Sequence, residues 1–211
     1  MHPSDPTLLL TAPVIPVLTI LRVAGAVPLA RALRAGGLRT IEVTLRTAAA
    51  LEAVRAIADA LPDVVIGLGT VTRAAEIGRA LDAGAKFLVT PGTPAALAAA
   101  LADAPVPVMP GCATVSEAMA LADLGFPVLK FFPAEASGGV AWLRAVAAPL
   151  PEVRFCPTGG IDQGNAPSYL ALPNVVAVGG SFVTPAEAVT TGDFDRITAL
   201  ARTAAGLRQT A

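Results

Sequence analysis

Short β-branched runs recur along the chain, at residues 14–20, 38–45, 64–68, 86–90, 106–109, 128–132, 153–156 and 175–178. Stretches rich in Ala, Leu, Arg and Glu separate them, such as residues 48–61 and 72–83. Several of these stretches end on helix-stop signals: Ala35-Gly36-Gly37, Ala83-Gly84-Ala85 and Leu124-Gly125. The pattern predicts eight strand-then-helix units, with a last helix over about residues 193–207. Strands that alternate with helices pair in parallel through right-handed crossovers. Eight such units within 211 residues predict an α/β chain folded as a single (β/α)8 TIM barrel. One domain fills the chain on this reading, with residues 1–12 as an N-terminal extension and 208–211 as a tail. An open doubly wound sheet fits less well, because no G-x-G-x-x-G follows the first strand and no change of texture marks a second half.

Two strands break the apolar pattern. In Thr40-Ile41-Glu42-Val43-Thr44-Leu45-Arg46, alternation puts the apolar residues on one face and Thr40, Glu42, Thr44 and Arg46 on the other. The apolar face suits the helices, so the polar face is expected to point into the barrel. Carboxylate and guanidinium groups there are costly unless paired or used. They read as a structural Glu42–Arg46 ion pair, or as a proton-transfer carboxylate beside a cation for an anionic substrate. In the sixth strand Val128, Lys130 and Phe132 share a face, which places Lys130 either inside the barrel or against the helices. Apolar surroundings favour the neutral, nucleophilic amine over the ammonium. As the bland alternative, Lys130 serves as the counter-ion of Glu42, and the two roles are compatible. The other lysine, Lys86, begins the fourth strand, at the end of a barrel associated with stability rather than catalysis.

Composition narrows the chemistry. The chain has one histidine, His2, and two isolated cysteines, Cys112 and Cys156, so no spacing suits a metal site, and Ser-His or Cys-His catalysis lacks its base. Both cysteines read as small buried hydrophobes in a reducing compartment. A net charge of −1 gives no reason to expect nucleic acid or a membrane surface as partner. The apolar run at residues 8–21 lacks preceding Lys or Arg and is interrupted by Pro13 and Pro16, so it reads as the first strand rather than a signal peptide. No other stretch reads as a membrane span, and a cytoplasmic protein is expected.

Two glycine clusters, Thr158-Gly159-Gly160 and Gly179-Gly180-Ser181, follow the seventh and eighth strands. Barrel enzymes often hold phosphate there on exposed backbone N–H groups, although a single Gly-Gly also serves tight turns. Gly69-Thr70-Val71 and Thr90-Pro91-Gly92 end the third and fourth strands with hydroxyls.

These segments resemble the 2-keto-3-deoxy-6-phosphogluconate (KDPG) aldolase family of class I aldolases. The resemblance is carried by Glu42-Val43-Thr44-Leu45-Arg46-Thr47, Gly69-Thr70-Val71, Pro110-Gly111 with Thr114-Val115-Ser116-Glu117, Lys130-Phe131-Phe132-Pro133-Ala134-Glu135, the segment from Arg154 to Ile161, and Gly179-Gly180-Ser181. It implies that Lys130 forms the imine and Glu42 is the general acid/base. Arg46 and Thr70 would contact the pyruvate moiety, and Thr158 would influence aldehyde stereochemistry. Gly160, Gly180 and Ser181 would hold phosphate, with Gly159, Gly179, Pro91 and Phe132 completing the expected substrate-binding set. The resemblance further implies a homotrimer that needs neither metal nor organic cofactor. Cys112-Ala113 departs from the small residues such as Ser often found in relatives, and a change of packing rather than chemistry is expected. Alternatives are an aldolase for 4-hydroxy-2-oxoglutarate or the galactonate epimer, or, in a different class, a sugar-phosphate isomerase or epimerase on the same fold.

Overall fold

The computed structural model describes residues 11–207; His2, most of the expected N-terminal extension and the tail at 208–211 lie outside the described residues. The strands are β1 (Val14–Leu18), β2 (Thr40–Thr44), β3 (Val65–Gly69), β4 (Leu88–Val89), β5 (Val108–Met109), β6 (Gly111–Cys112), β7 (Val128–Phe131), β8 (Arg154–Pro157) and β9 (Val178–Gly180). All pair in parallel, in one segment of order β5-β4-β3-β2-β1-β9 and another of order β6-β7-β8. Pro110 alone separates β5 from β6, since proline carries no N–H for the ladder. Its carbonyl still accepts from the Lys130 amide at 2.9 Å. At the other end a parallel bridge pairs Thr158 with Gly179. The result is a curled parallel sheet with helices between and after its strands: α1 (Ala26–Ala35), α2 (Ala50–Ala60), α3 (Ala75–Asp82), α4 (Ala95–Ala102), α5 (Val115–Asp123), α6 (Gly139–Val146), α7 (Ala166–Leu170), α8 (Ala186–Thr191) and α9 (Phe194–Ala205).

The curl separates two apolar clusters. The larger, between sheet and helices, takes Ile41 and Val43 from β2 and Leu129 and Phe131 from β7. The smaller holds Ile15, Phe87, Val89, Met109, Val128, Cys156 and Ala177, contributed around the sheet from β1 to the approach to β9. Alternate residues of a strand point to opposite faces, so this second cluster is the surface around which the sheet curls. Lys130 shares its face with Val128. Of the two positions open to Lys130, the inner one is correct. Outside, Trp142 of α6 (Gly139–Val146) stacks on Phe131 with centroids 4.3 Å apart and meets Phe155 edge-on at 5.5 Å. Such ring pairs add about 0.5–1.5 kcal/mol beyond area burial and tie β7, the strand of Lys130, to its neighbour β8.

Element boundaries differ from the sequence reading for local reasons. The helix expected at 72–83 begins only at Ala75, as α3 (Ala75–Asp82), because the Glu76 carboxylate accepts from the amides of Thr72 and Arg73. The run expected as a strand at 175–178 contributes only Val178, because β9 lies where it pairs with β1, matching Ile15 with Gly179 and Pro16 with Gly180. Gly179 and Gly180 are therefore strand residues, not a loop after the strand. The last helix is α9 (Phe194–Ala205), started by Asp193, whose side chain accepts from the Arg196 amide at 3.0 Å. At α5 (Val115–Asp123), Thr114 and Glu117 form a reciprocal capping box.

Candidate active site

The inner face of β7 brings the Lys130 Nζ within 3.2 Å of Glu42 Oε1, to which it donates a hydrogen bond. The two side chains are 5% and 3% exposed. Glu42 reaches this point because β2 lies between β1 and β3, with Glu42 in register with Val17 and Gly67. Lys130 is in register with Gly111 on one side and Cys156 on the other. Of the two readings of Glu42 and Arg46, the structural ion pair between them does not form. Strand β2 ends at Thr44, Arg46 is exposed beyond it, and among the described residues Arg46 makes no ion pair. Lys86 lies on the exterior, donating to the carbonyls of Pro62 at 2.9 Å and Val64 at 3.4 Å, which leaves Lys130 as the interior amine.

A residue that sequence reasoning passed over makes room for the carboxylate. A Cβ on Gly69 would stand 1.9 Å from Glu42 Oε1, so only glycine fits beside it. The signal was present as Gly69-Thr70, but nothing in the chain shows which side chain fills the space. The next residue, Thr70, has φ +61°, a left-handed conformation that costs a non-glycine residue of order 1–3 kcal/mol. Such strain gathers where a side chain is held for a task, and Thr70 directly follows Gly69, which packs against the Glu42 carboxylate. Thr90 is fully buried, its hydroxyl accepting from the Gly111 amide at 2.8 Å and sharing a hydrogen bond with Thr93 at 2.7 Å. That network orders the turn carrying Pro91. The Phe132 ring centroid lies 5.3 Å from Lys130 Nζ.

Thr158 follows β8, buried, its hydroxyl directed at the Cys156 carbonyl 3.4 Å away. Gly159 and Gly160 then take φ +97° and +79°. Ser181 follows β9, exposed. It lines a cavity of about 1010 Å³ that runs past Thr19, Arg22 and Thr190. A second cavity, about 740 Å³, lies between Pro91 and α5. Neither is lined by Lys130 or Glu42.

Cys112 and Cys156 are unbridged, and burial pushes both thiols from their ordinary 9.0 up to about 12. For Cys156 the Lys130 charge partly offsets that burial. Folded protein at pH 8 is expected to leave a chromogenic disulfide reagent unreacted, while denatured protein releases two equivalents. The unfolded chain ionises both thiols near 9.0 and the native state only near 12, so stability should fall as pH rises through that interval. Absorbance titration and pH-dependent melting check both outcomes.

An interior amine against a carboxylate, inside a curled parallel sheet, is the equipment of a class I aldolase, a carbon–carbon lyase. Comparison with known proteins agrees. The chain belongs to the KDPG and KHG aldolase family, whose sequence model matches residues 7–200. It is 48% identical over 201 residues to the KHG/KDPG aldolase of Escherichia coli (strain K12), covering 95% of this chain and 94% of that one. The solved KDPG aldolase of Legionella pneumophila, with pyruvate captured at low pH as a covalent carbinolamine intermediate, superimposes with a TM-score of 0.94 at 41% identity, covering 96% of this chain and 98% of that one. The Zymomonas mobilis ZM4 enzyme with 3-phosphoglycerate gives a TM-score of 0.93 at 43% identity, covering 100% and 99%.

Proposed function

We propose that this aldolase cleaves 2-keto-3-deoxy-6-phosphogluconate to pyruvate and glyceraldehyde 3-phosphate through an imine on Lys130. The observation that carries the reading is the 3.2 Å contact of two buried groups, one a nucleophile and the other able to move its protons. The neutral amine attacks the C2 ketone, and the carbinolamine loses water as Glu42 delivers the proton. The iminium withdraws electrons as a base takes the C4 hydroxyl proton, so the C3–C4 bond breaks and the aldehyde leaves. The enamine that remains is protonated at C3, and hydrolysis of its imine returns pyruvate and the free amine. Because the iminium is the electron sink, the sequence calls on no metal or organic cofactor.

The substrate's other groups have matching partners. Arg46, exposed and without an ion pair among the described residues, suits the keto-acid carboxylate, with strained Thr70 beside it. Pro91 and Phe132 wall the pyruvate moiety. Thr158 faces the aldehyde end, and Gly159, Gly160, Gly179, Gly180 and Ser181 supply backbone and hydroxyl donors for phosphate. The Escherichia coli relative is named for both KHG and KDPG, which favours 4-hydroxy-2-oxoglutarate as a second substrate. We further propose that the two sheet segments close as an eight-stranded barrel, β5 and β6 being one strand interrupted at Pro110. Three such chains would associate in the cytoplasm, and the exposed Val115, Met119 and Leu124 on and beside α5 favour self-association.

Borohydride reduction in the presence of labelled pyruvate, followed by peptide mapping, tests the central claim. The label is expected on the peptide containing Lys130. No adduct would favour an isomerase or epimerase, and an adduct on Lys86 instead would overturn the role given to Lys130. Gly69→Ala provides a second check. A methyl group there must displace the Glu42 carboxylate, so kcat should fall roughly 10–100-fold, with about 1–3 kcal/mol lost in stability from overpacking. Unchanged kinetics would show that Glu42 does not need this position.

A further inference from the structure

Behind the loop that follows β8 stands a pair of polar groups that no step of the proposed reaction uses. Glu135 opens a short 3-10 helix, Glu135–Ser137, just after β7. Tyr169 lies in α7 (Ala166–Leu170), fully buried, and its hydroxyl donates a hydrogen bond to Oε1 of Glu135. Burial first, and then the Glu135 hydrogen bond and charge, push the phenol's ionisation upward, so it stays a donor across the working pH range.

This pair closes a clamp on the glycine loop. The amides of Ala134 and Glu135 donate to the carbonyls of Thr158 and Gly159 at 2.8 and 3.1 Å. The aliphatic stem of Glu135 lies so close to Gly160 that a Cβ there would stand 2.5 Å from its Cγ and 2.7 Å from its Cβ. From the α7 side, Asn165 Nδ2 donates to the Gly160 carbonyl at 2.8 Å. Gly160 is thus held between the segment that follows the Lys130 strand and the helix that carries Tyr169. The Tyr169–Glu135 bond is the direct side-chain link between those two walls.

We infer that Tyr169 and Glu135 are positioning residues for the phosphate loop: by fixing Gly159 and Gly160 they set the preference for phosphorylated over unphosphorylated 2-keto acids. The inference rests on the reading of the Gly159-Gly160 loop as part of the phosphate site. It predicts a split that a merely structural pair would not produce. Binding of the phosphate end should weaken while chemistry at Lys130 continues.

The test compares Tyr169→Phe, Glu135→Ala and Glu135→Gln with wild type in three measurements: steady-state cleavage of KDPG, calorimetric binding of inorganic phosphate, and the rate of borohydride trapping with pyruvate, which carries no phosphate. Tyr169→Phe and Glu135→Ala are each expected to raise the KM for KDPG and the Kd for phosphate about tenfold, with kcat and pyruvate trapping within about twofold of wild type. Glu135→Gln keeps both the stem and an acceptor oxygen and should stay within about threefold on every measure. Equal losses in phosphate binding and pyruvate trapping, or no loss in either, overturn the inference, as does a Gln variant as impaired as the Ala variant. Failure of the underlying reading has a different signature: wild-type protein would not trap pyruvate at Lys130, or would not bind phosphate at all.

Discussion

Replacing Lys130 with methionine is expected to lower kcat/KM for aldol cleavage by at least about four orders of magnitude, roughly 5.4 kcal/mol of transition-state stabilisation at 1.36 kcal/mol per decade. The reason is chemical rather than steric. Methionine matches the stem of lysine in length but provides no amine, so neither carbinolamine nor iminium can form and the C3–C4 bond has no electron sink. Pyruvate trapping should disappear with it. The same substitution leaves Glu42 buried without its cation, and breaking one side of a buried pair costs about 3–5 kcal/mol. Melting temperature should therefore drop, although the loss of activity must persist at temperatures where the variant remains folded. A double variant, Lys130→Met with Glu42→Leu, separates the two effects. Apolar replacement of both partners is neutral or stabilising in comparable sites. The double variant is expected to recover most of the lost stability and none of the activity. Recovery of turnover in either protein would remove Lys130 from the chemistry.

That prediction depends on a contact between residues 88 positions apart, and the distance explains how far sequence could take the argument. Alternation along residues 40–46 identified Glu42 as a charge on the inner face, because Ile41 and Val43 needed the helices. It could not choose between Arg46 and Lys130 as the partner, since periodicity orders residues within a strand and says nothing across strands. Strand length decided the matter: β2 stops at Thr44, so Arg46 leaves the inner face and Lys130 remains. The alternation in residues 128–132 left two faces open in the same way, and the separate inner cluster containing Val128 selects one.

Other features were illegible for a related reason. Gly69 read as the end of the third strand and Gly160 as a phosphate-site glycine, and neither reading shows what occupies the missing Cβ positions, the Glu42 carboxylate and the Glu135 stem. Tyr169 gave no sequence signal, being a lone aromatic among apolar residues. Strand limits moved where a local competitor won: Pro110 interrupting the ladder, and β9 shifted so that its glycines pair with β1. These are three-dimensional proximities, whereas the family motifs record only which residue types stand in order.

Substituting Glu42 with glutamine distinguishes the two roles that the Lys130 contact leaves open, counter-ion and proton carrier. Glutamine keeps the shape and can still accept the Lys130 hydrogen bond, but it cannot exchange a proton at the carbinolamine or the enamine. If Glu42 carries protons, kcat should fall about 10³-fold, within the usual range for removing a general acid/base. Trapping with pyruvate should also slow, because dehydration of the carbinolamine precedes reduction, yet an adduct should still accumulate on Lys130. A carboxylate that served only as a structural counter-ion would behave differently. Its replacement by an isosteric amide would leave both trapping and turnover near wild type. Single-turnover cleavage alongside the trapping rate measures both quantities on one preparation. Trapping and turnover both within tenfold of wild type would reduce Glu42 to a structural charge. Slower trapping with turnover about a thousandfold lower would assign it the proton transfers that its 3.2 Å approach to Lys130 permits.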